Sequence, residues 1–147
     1  METKPTRSAL PFTDDQIVAA RRYAPVTPPI DLDPRIEVLV KELIGRLADR
    51  WTMLVLEVLV ERGTMRFGRL REAVGTVSQK MLTQTLRAME RDGLVKRTVH
   101  PVVPPHVDYE LTELGFTLSA AFCGVWIWAS ENHRSVEEAR ETFDARA

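Results

Sequence analysis

The sequence predicts a mainly α-helical fold of the α+β class with one small β-hairpin, and three observations point there. Six of the nine prolines fall within the first 34 residues (Pro5, Pro11, Pro25, Pro28, Pro29, Pro34). The other three are Pro101, Pro104 and Pro105, so regular structure lies between the two clusters and after the second. Between Ile36 and Met89 apolar residues recur at three- and four-residue spacing, the period of a helix with a buried face. From Leu94 the period changes to two, and after Thr112 it returns to helical.

Residues 1–33 read as an N-terminal extension, with a short helix over Asp14–Tyr23 and then a stiff Pro-rich linker. Pro34, a good first helical residue behind Asp33, opens a helix carrying Ile36, Leu39, Val40, Leu43 and Leu47. Arg50–Glu61 holds Trp51, Leu54, Val55, Val58 and Leu59, apolar on most sides, and predicts a buried central helix ending at Gly63. A short third helix, Phe67–Val74, turns Leu70 inward and closes at Gly75. Ser78 offers a capping oxygen to a fourth helix whose inner stripe is Leu82, Leu86 and Met89 and which stops at Asp92-Gly93. Two alternating runs, Leu94–Val99 and Val107–Leu111, make the hairpin. Thr112 caps a long last helix to about His133, leaving 134–147 as a frayed acidic tail. The folded domain is thus expected at 34–133.

At 44% hydrophobic and 28% charged, the 147 residues can bury a core beneath a polar surface. A single Cys excludes an internal disulfide framework. His100, His106, His133 and Cys123 lack the tight spacings of structural zinc, so no metal and no cofactor are expected. Met1–Leu10 holds Glu2 and Pro5 and no apolar run, while the richest apolar stretches fall short of the ~20 residues that span a bilayer. A cytoplasmic protein without a membrane partner is expected. The neighbouring acids Asp14-Asp15 and Glu137-Glu138 sit in surface segments, and nucleophile and Gly-rich phosphate motifs are missing, which argues against an enzyme.

The formal net charge of -1 hides a separation. Between Arg62 and His100 nine cations face three anions, a balance of +6, against -7 for the remainder. Such a bipolar chain can present a basic face to double-stranded DNA while the rest discourages indiscriminate adhesion. In the fourth helix Lys80, Thr83, Gln84, Arg87 and Arg91 recur at three- and four-residue spacing opposite the apolar stripe, with Glu90 the only acid between Ser78 and Arg91. Gln can bond adenine bidentately and Arg or Lys can bond guanine; a merely solvated face is the alternative. Helix, turn, helix over Phe67–Arg91 followed by a hairpin is a winged helix-turn-helix in outline. The hairpin tip, His100 to His106, lies along a minor groove or backbone in this reading, and is a plain connection in the other. The expected DNA contacts are Arg66, Arg69, Ser78, Gln79, Lys80, Thr83, Gln84, Arg87, Arg97, His100 and His106.

Trp51-Thr52 with the apolar run behind it, Arg66-Phe67 with Leu70, Ser78 to Arg87 (SQKMLTQTLR), Asp92-Gly93-Leu94-Val95 with Arg97, Pro104 to Tyr109 (PPHVDY) and Leu111-Thr112 with Gly115 fall in a specific order. Together they resemble the HxlR-type family of bacterial winged helix-turn-helix transcriptional regulators, within the MarR-like superfamily, over roughly 36–133. The resemblance implies a homodimeric DNA-binding regulator whose Ser78 helix enters the major groove with the hairpin beside it. It departs from the family at Asp31–Arg35, which lacks the Cys that some members carry there, and at Ala48-Asp49-Arg50, where a small Gly-rich approach to the tryptophan is usual.

The last helix carries two apolar stripes, one through Leu114, Leu118, Phe122, Val125 and Ala129 and one through Phe116, Ala120, Cys123 and Ile127, with Trp126 and Trp128 besides. Two stripes need two partners: the body of the chain and a second copy, unless a monomer wraps the helix completely. The first helix joins that interface, giving Ile36, Leu39, Val40, Leu43, Phe116, Cys123, Trp126 and Ile127 as dimer contacts. Cys123 is read as a small buried hydrophobe, Trp51 as core, and Trp126 and Trp128 as core or as the lining of a small-molecule effector pocket. The function expected is a sequence-specific regulator, a repressor or equally an activator, on a pseudo-palindromic site. The competing reading is a winged-helix interaction module whose basic face meets an acidic protein.

Overall fold

A computed structural model of the chain describes Asp15, Val18 and residues 33–146. Asp15 and Val18 have helical backbone; the rest of the expected helix over Asp14–Tyr23 and the Pro-rich linker lie outside the described residues. Asp33 caps α1 (Pro34–Leu47) by accepting the Arg35 N–H at 2.9 Å. The Arg35 guanidinium folds onto the same carboxylate and holds it below the usual Asp range. Then follow α2 (Arg50–Arg62), β1 (Met65–Arg66), α3 (Phe67–Val74), α4 (Gln79–Arg91), β2 (Val95–His100), β3 (His106–Leu111) and α5 (Glu113–Asp144). The strands form one antiparallel sheet in the order β1-β3-β2.

Contacts divide the chain into two compact units, residues 31–123 and residues 1–30 with 124–147. The first holds the core: Leu47 of α1, Val55, Leu56 and Leu59 of α2, Leu70 and Val74 of α3, Leu82, Leu86 and Met89 of α4, and Leu94, Val95 and Tyr109 from the base of the sheet. Each is the apolar residue that the helical or alternating spacing turns inward. Trp51, expected in the core, packs against it while half-buried.

Two joints fix the first unit. At the base of the hairpin, Thr112 N–H donates to the Leu94 carbonyl at 3.1 Å, Thr112 Oγ1 donates to the Gly93 carbonyl, and Gly115 N–H donates back to Thr112 Oγ1. Gly115 then lies so close to Leu94 that a Cβ would overlap its carbonyl oxygen. Elsewhere Arg46, in the last turn of α1, forms a half-buried ion pair with Asp92, the C-cap of α4.

Three expectations are corrected. Residues 134–144 are helical and not frayed, because Glu, Ala and Arg are good helix formers and His133 and Glu137 approach at i, i+4 spacing. The hairpin strands run Val95–His100 and His106–Leu111, each reaching one residue further toward the tip. Cys123 is exposed on the single chain, not buried.

In the second unit the described residues are Asp15, Val18 and residues 124–146, and the part of α5 that belongs to it leaves Val125, Trp126, Ile127, Trp128 and Phe143 exposed. Among the described residues no helix is long and apolar enough to cross a membrane.

Candidate nucleic-acid interface

Helix, turn and helix are α3, Gly75–Ser78 and α4. Gly75 takes φ 106°, which a residue with a Cβ rarely adopts, and so lets the chain reverse between the helices. The turn is pinned by buried Val77, whose carbonyl accepts Arg71 Nε–H at 3.3 Å. Ser78 Oγ accepts the Met81 N–H at 3.0 Å, so the oxygen expected at DNA is occupied in capping α4.

With Leu82, Thr85, Leu86 and Met89 turned inward, the 3.6-residue period puts Lys80, Thr83, Gln84, Arg87 and Arg91 on the opposite side of α4, and all five are exposed. Among the described residues, Arg66, Lys80, Arg87, Arg91 and Arg97 have no carboxylate within ion-pair distance, whereas Arg69 approaches Glu72 at 3.6 Å and Lys96 approaches Glu110 at 3.9 Å. Unpaired cations on an acid-poor face carry their full charge to an incoming polyanion.

Five of the expected contacts converge. Arg66, Arg69, Gln79, Thr83 and His106 line one open groove of ≈ 530 Å³, between the starts of α3 and α4 and the first residues of β3, with the Phe67 and Tyr109 rings behind them. Gln84 looks the other way, into a smaller pocket of ≈ 330 Å³ on the α1 side of α4. Arg97 is separate as well. It pairs with Tyr109, whereas Arg66 pairs with Asp108, Thr98 with Asp108 and His100 with His106, so Arg97 emerges from the opposite face of the sheet.

The two-residue strand β1 has no sequence signal of its own, yet it attaches Arg66 to the hairpin. A second feature has no signal in the residue types alone: His100 Nε2 lies 2.9 Å from Asp108 Oδ2, and the His100 and His106 rings stack with centroids 4.5 Å apart. The period-two pattern could have revealed it, since positions 98 and 100 of one strand share a face with 106 and 108 of the other.

The model of the HxlR-like helix-turn-helix family matches residues 46–137. The chain belongs to that family. An HTH-type transcriptional regulator of Escherichia coli K12, YtfH, is 43% identical over 101 residues, covering 69% of this chain and 79% of the relative. The reduced form of the transcriptional regulator YodB from Bacillus subtilis superposes with a TM-score of 0.58 at 35% identity, over 69% of this chain and 94% of that one. A MarR-family transcriptional regulator from Enterococcus faecalis V583 gives a TM-score of 0.61 at 29% identity, over 78% and 99%. The three-stranded sheet is therefore the wing of a winged helix-turn-helix, and this HxlR-like chain is a DNA-binding regulator of transcription. Its family and relatives are regulators and not enzymes.

Proposed function

We propose that this HxlR-like protein acts as a homodimer that represses transcription by occupying a pseudo-palindromic promoter site, with α4 in the major groove and the wing on the adjoining backbone. The observation that carries the reading is the acid-poor face of α4 standing beside the groove that holds Arg66, Arg69, Gln79, Thr83 and His106. Lys80, Thr83 and Arg87 read base edges together with Gln79, while Arg66, Arg69 and Arg97 neutralise phosphates, and Gln84, turned toward the α1 side, is left out of the base-reading set. Arg66 and Arg97, on opposite faces of the sheet, suit a wing that has backbone on both sides.

Exposed apolar side chains support the dimer. Ile36, Leu39 and Val40 of α1 and Phe116, Trp126 and Ile127 of α5 are all between 44% and 56% exposed, more large apolar surface than a monomer tolerates without a partner. Cys123 is exposed with them and Leu43 is half-buried. A dimer of this kind binds half-sites ~34 Å apart. A small-molecule effector has the ≈ 330 Å³ pocket lined by Leu43, Leu47, Met81, Met89 and Leu118 available to it.

Mobility shift against genomic fragments at two salt concentrations, with light scattering for the mass, tests the reading. Salt-sensitive retention by a species of twice the chain mass is expected, and a protein that ignores DNA at both salts favours an acidic protein partner instead. On the selected site Arg87→Ala is expected to cost ~1–3 kcal/mol and to change base preference. Arg97→Ala weakens all sequences alike and lowers the salt slope by ~1. Equal losses on specific and random DNA for Arg87→Ala would remove it from the base-reading set.

A further inference from the structure

On the wing, two of the expected DNA contacts, His100 and His106, meet Asp108 in a set of potential metal ligands. His100 and His106 are directly opposed across β2 and β3, and Asp108, two residues along the same face, brings Oδ2 to 2.9 Å from His100 Nε2. One ligand atom from each of the three residues lies within 4.8 Å of the other two. The second carboxylate oxygen, Asp108 Oδ1, is buried without a hydrogen-bond partner. A buried, unpaired carboxylate oxygen costs free energy that a bound cation would recover.

From this geometry we propose that His100, His106 and Asp108 bind one divalent transition-metal ion of the imidazole-preferring class, with Zn²⁺ as the probe. The chemistry of the donors selects that class. Two neutral imidazoles and a carboxylate suit Zn²⁺, Ni²⁺ or Cu²⁺, whereas Mg²⁺ and Ca²⁺ take oxygen ligands. Zinc bonds of ~2.1 Å place two ligand atoms at most ~4.2 Å apart, so the side chains close by up to about an ångström, within reach of χ rotation on a half-exposed hairpin. Three protein ligands leave the fourth position open to water. The ion exchanges a local charge of -1 for +1 on the face that also carries Arg66. The site stands independently of the DNA reading, because its measurement needs no DNA.

The experiment titrates untagged full-length protein with Zn²⁺ against a chromophoric chelator, and records the visible spectrum with Co²⁺ in its place. One Zn²⁺ per chain is expected. His106→Gln and Asp108→Asn should each weaken binding by ~10-fold or more, since even the outer partners of metal ligands cost about that. His133→Gln, which alters the exposed His133–Glu137 pair on α5, should leave it unchanged. Histidine ring NMR of the wild-type chain guards against variants that fail to fold: one equivalent of Zn²⁺ shifts the His100 and His106 resonances and spares His133. Absence of stoichiometric binding, loss through His133→Gln, or unmoved His100 and His106 resonances overturns the proposal and leaves a plain cross-strand contact.

Discussion

Gly115→Ala is expected to destabilise the chain by ~3 kcal/mol or more, although alanine is the better helix former. The added methyl gains up to ~1 kcal/mol of helix propensity. Against that, its Cβ overlaps the Leu94 carbonyl oxygen and lies 3.0 Å from Leu111 Cδ2. The obstacle is backbone, which cannot swing aside as a long side chain would. Moving it strains the hydrogen bond from Thr112 N–H to Leu94 and the Thr112 Oγ1 bond to Gly93. Overpacking costs ~1–3 kcal/mol and each compromised hydrogen bond ~1 kcal/mol, so the clash outweighs the propensity. At ~2–4 °C per kcal/mol for a chain near this length, a melting point lower by ~6–12 °C should be seen. A melting point at or above wild type in differential scanning calorimetry would show that the joint yields freely.

Leu82→Ala is expected to cost ~2–5 kcal/mol, the range for emptying a fully buried leucine site. Leu82 is 0% exposed and lies on the inner stripe of α4, beneath the face that carries Thr83 and Arg87. Since a domain has only ~5–15 kcal/mol in total, this loss is a large share. Urea denaturation at one fixed protein concentration should show a lower midpoint at unchanged slope. Arg87→Ala on the same helix should leave that midpoint within ~0.5 kcal/mol while weakening DNA binding. A shared stability loss in both variants would contradict the division of α4 into an inner face that holds the fold and an outer face that reads.

Where the sequence carried a period, it was legible. Leu82, Leu86 and Met89 at helical spacing located both faces of α4, and the alternation from Leu94 located the wing. Features that depend on what lies across space were not. The strand β1 is two residues long and exists because Tyr109 and Asp108 lie beside it. Capping consumes the Ser78 oxygen, and the twist of α4 turns Gln84 away from the groove that Gln79 and Thr83 share. A stop after His133 was read from acidic composition, yet glutamates extend a helix as readily as they solvate a tail. Cys123 was read from its apolar neighbours, which are themselves the exposed surface.

The ion pair between Arg46 and Asp92 joins the last turn of α1 to the end of α4. The pair ties the two helix ends together, because either charge left half-buried without its counter-ion would be costly. Both residues also line the ≈ 330 Å³ pocket, so the ion pair forms part of its wall. Gln84 lines the same pocket, so the joint that holds α1 to α4 and part of the polar side of α4 share one cavity.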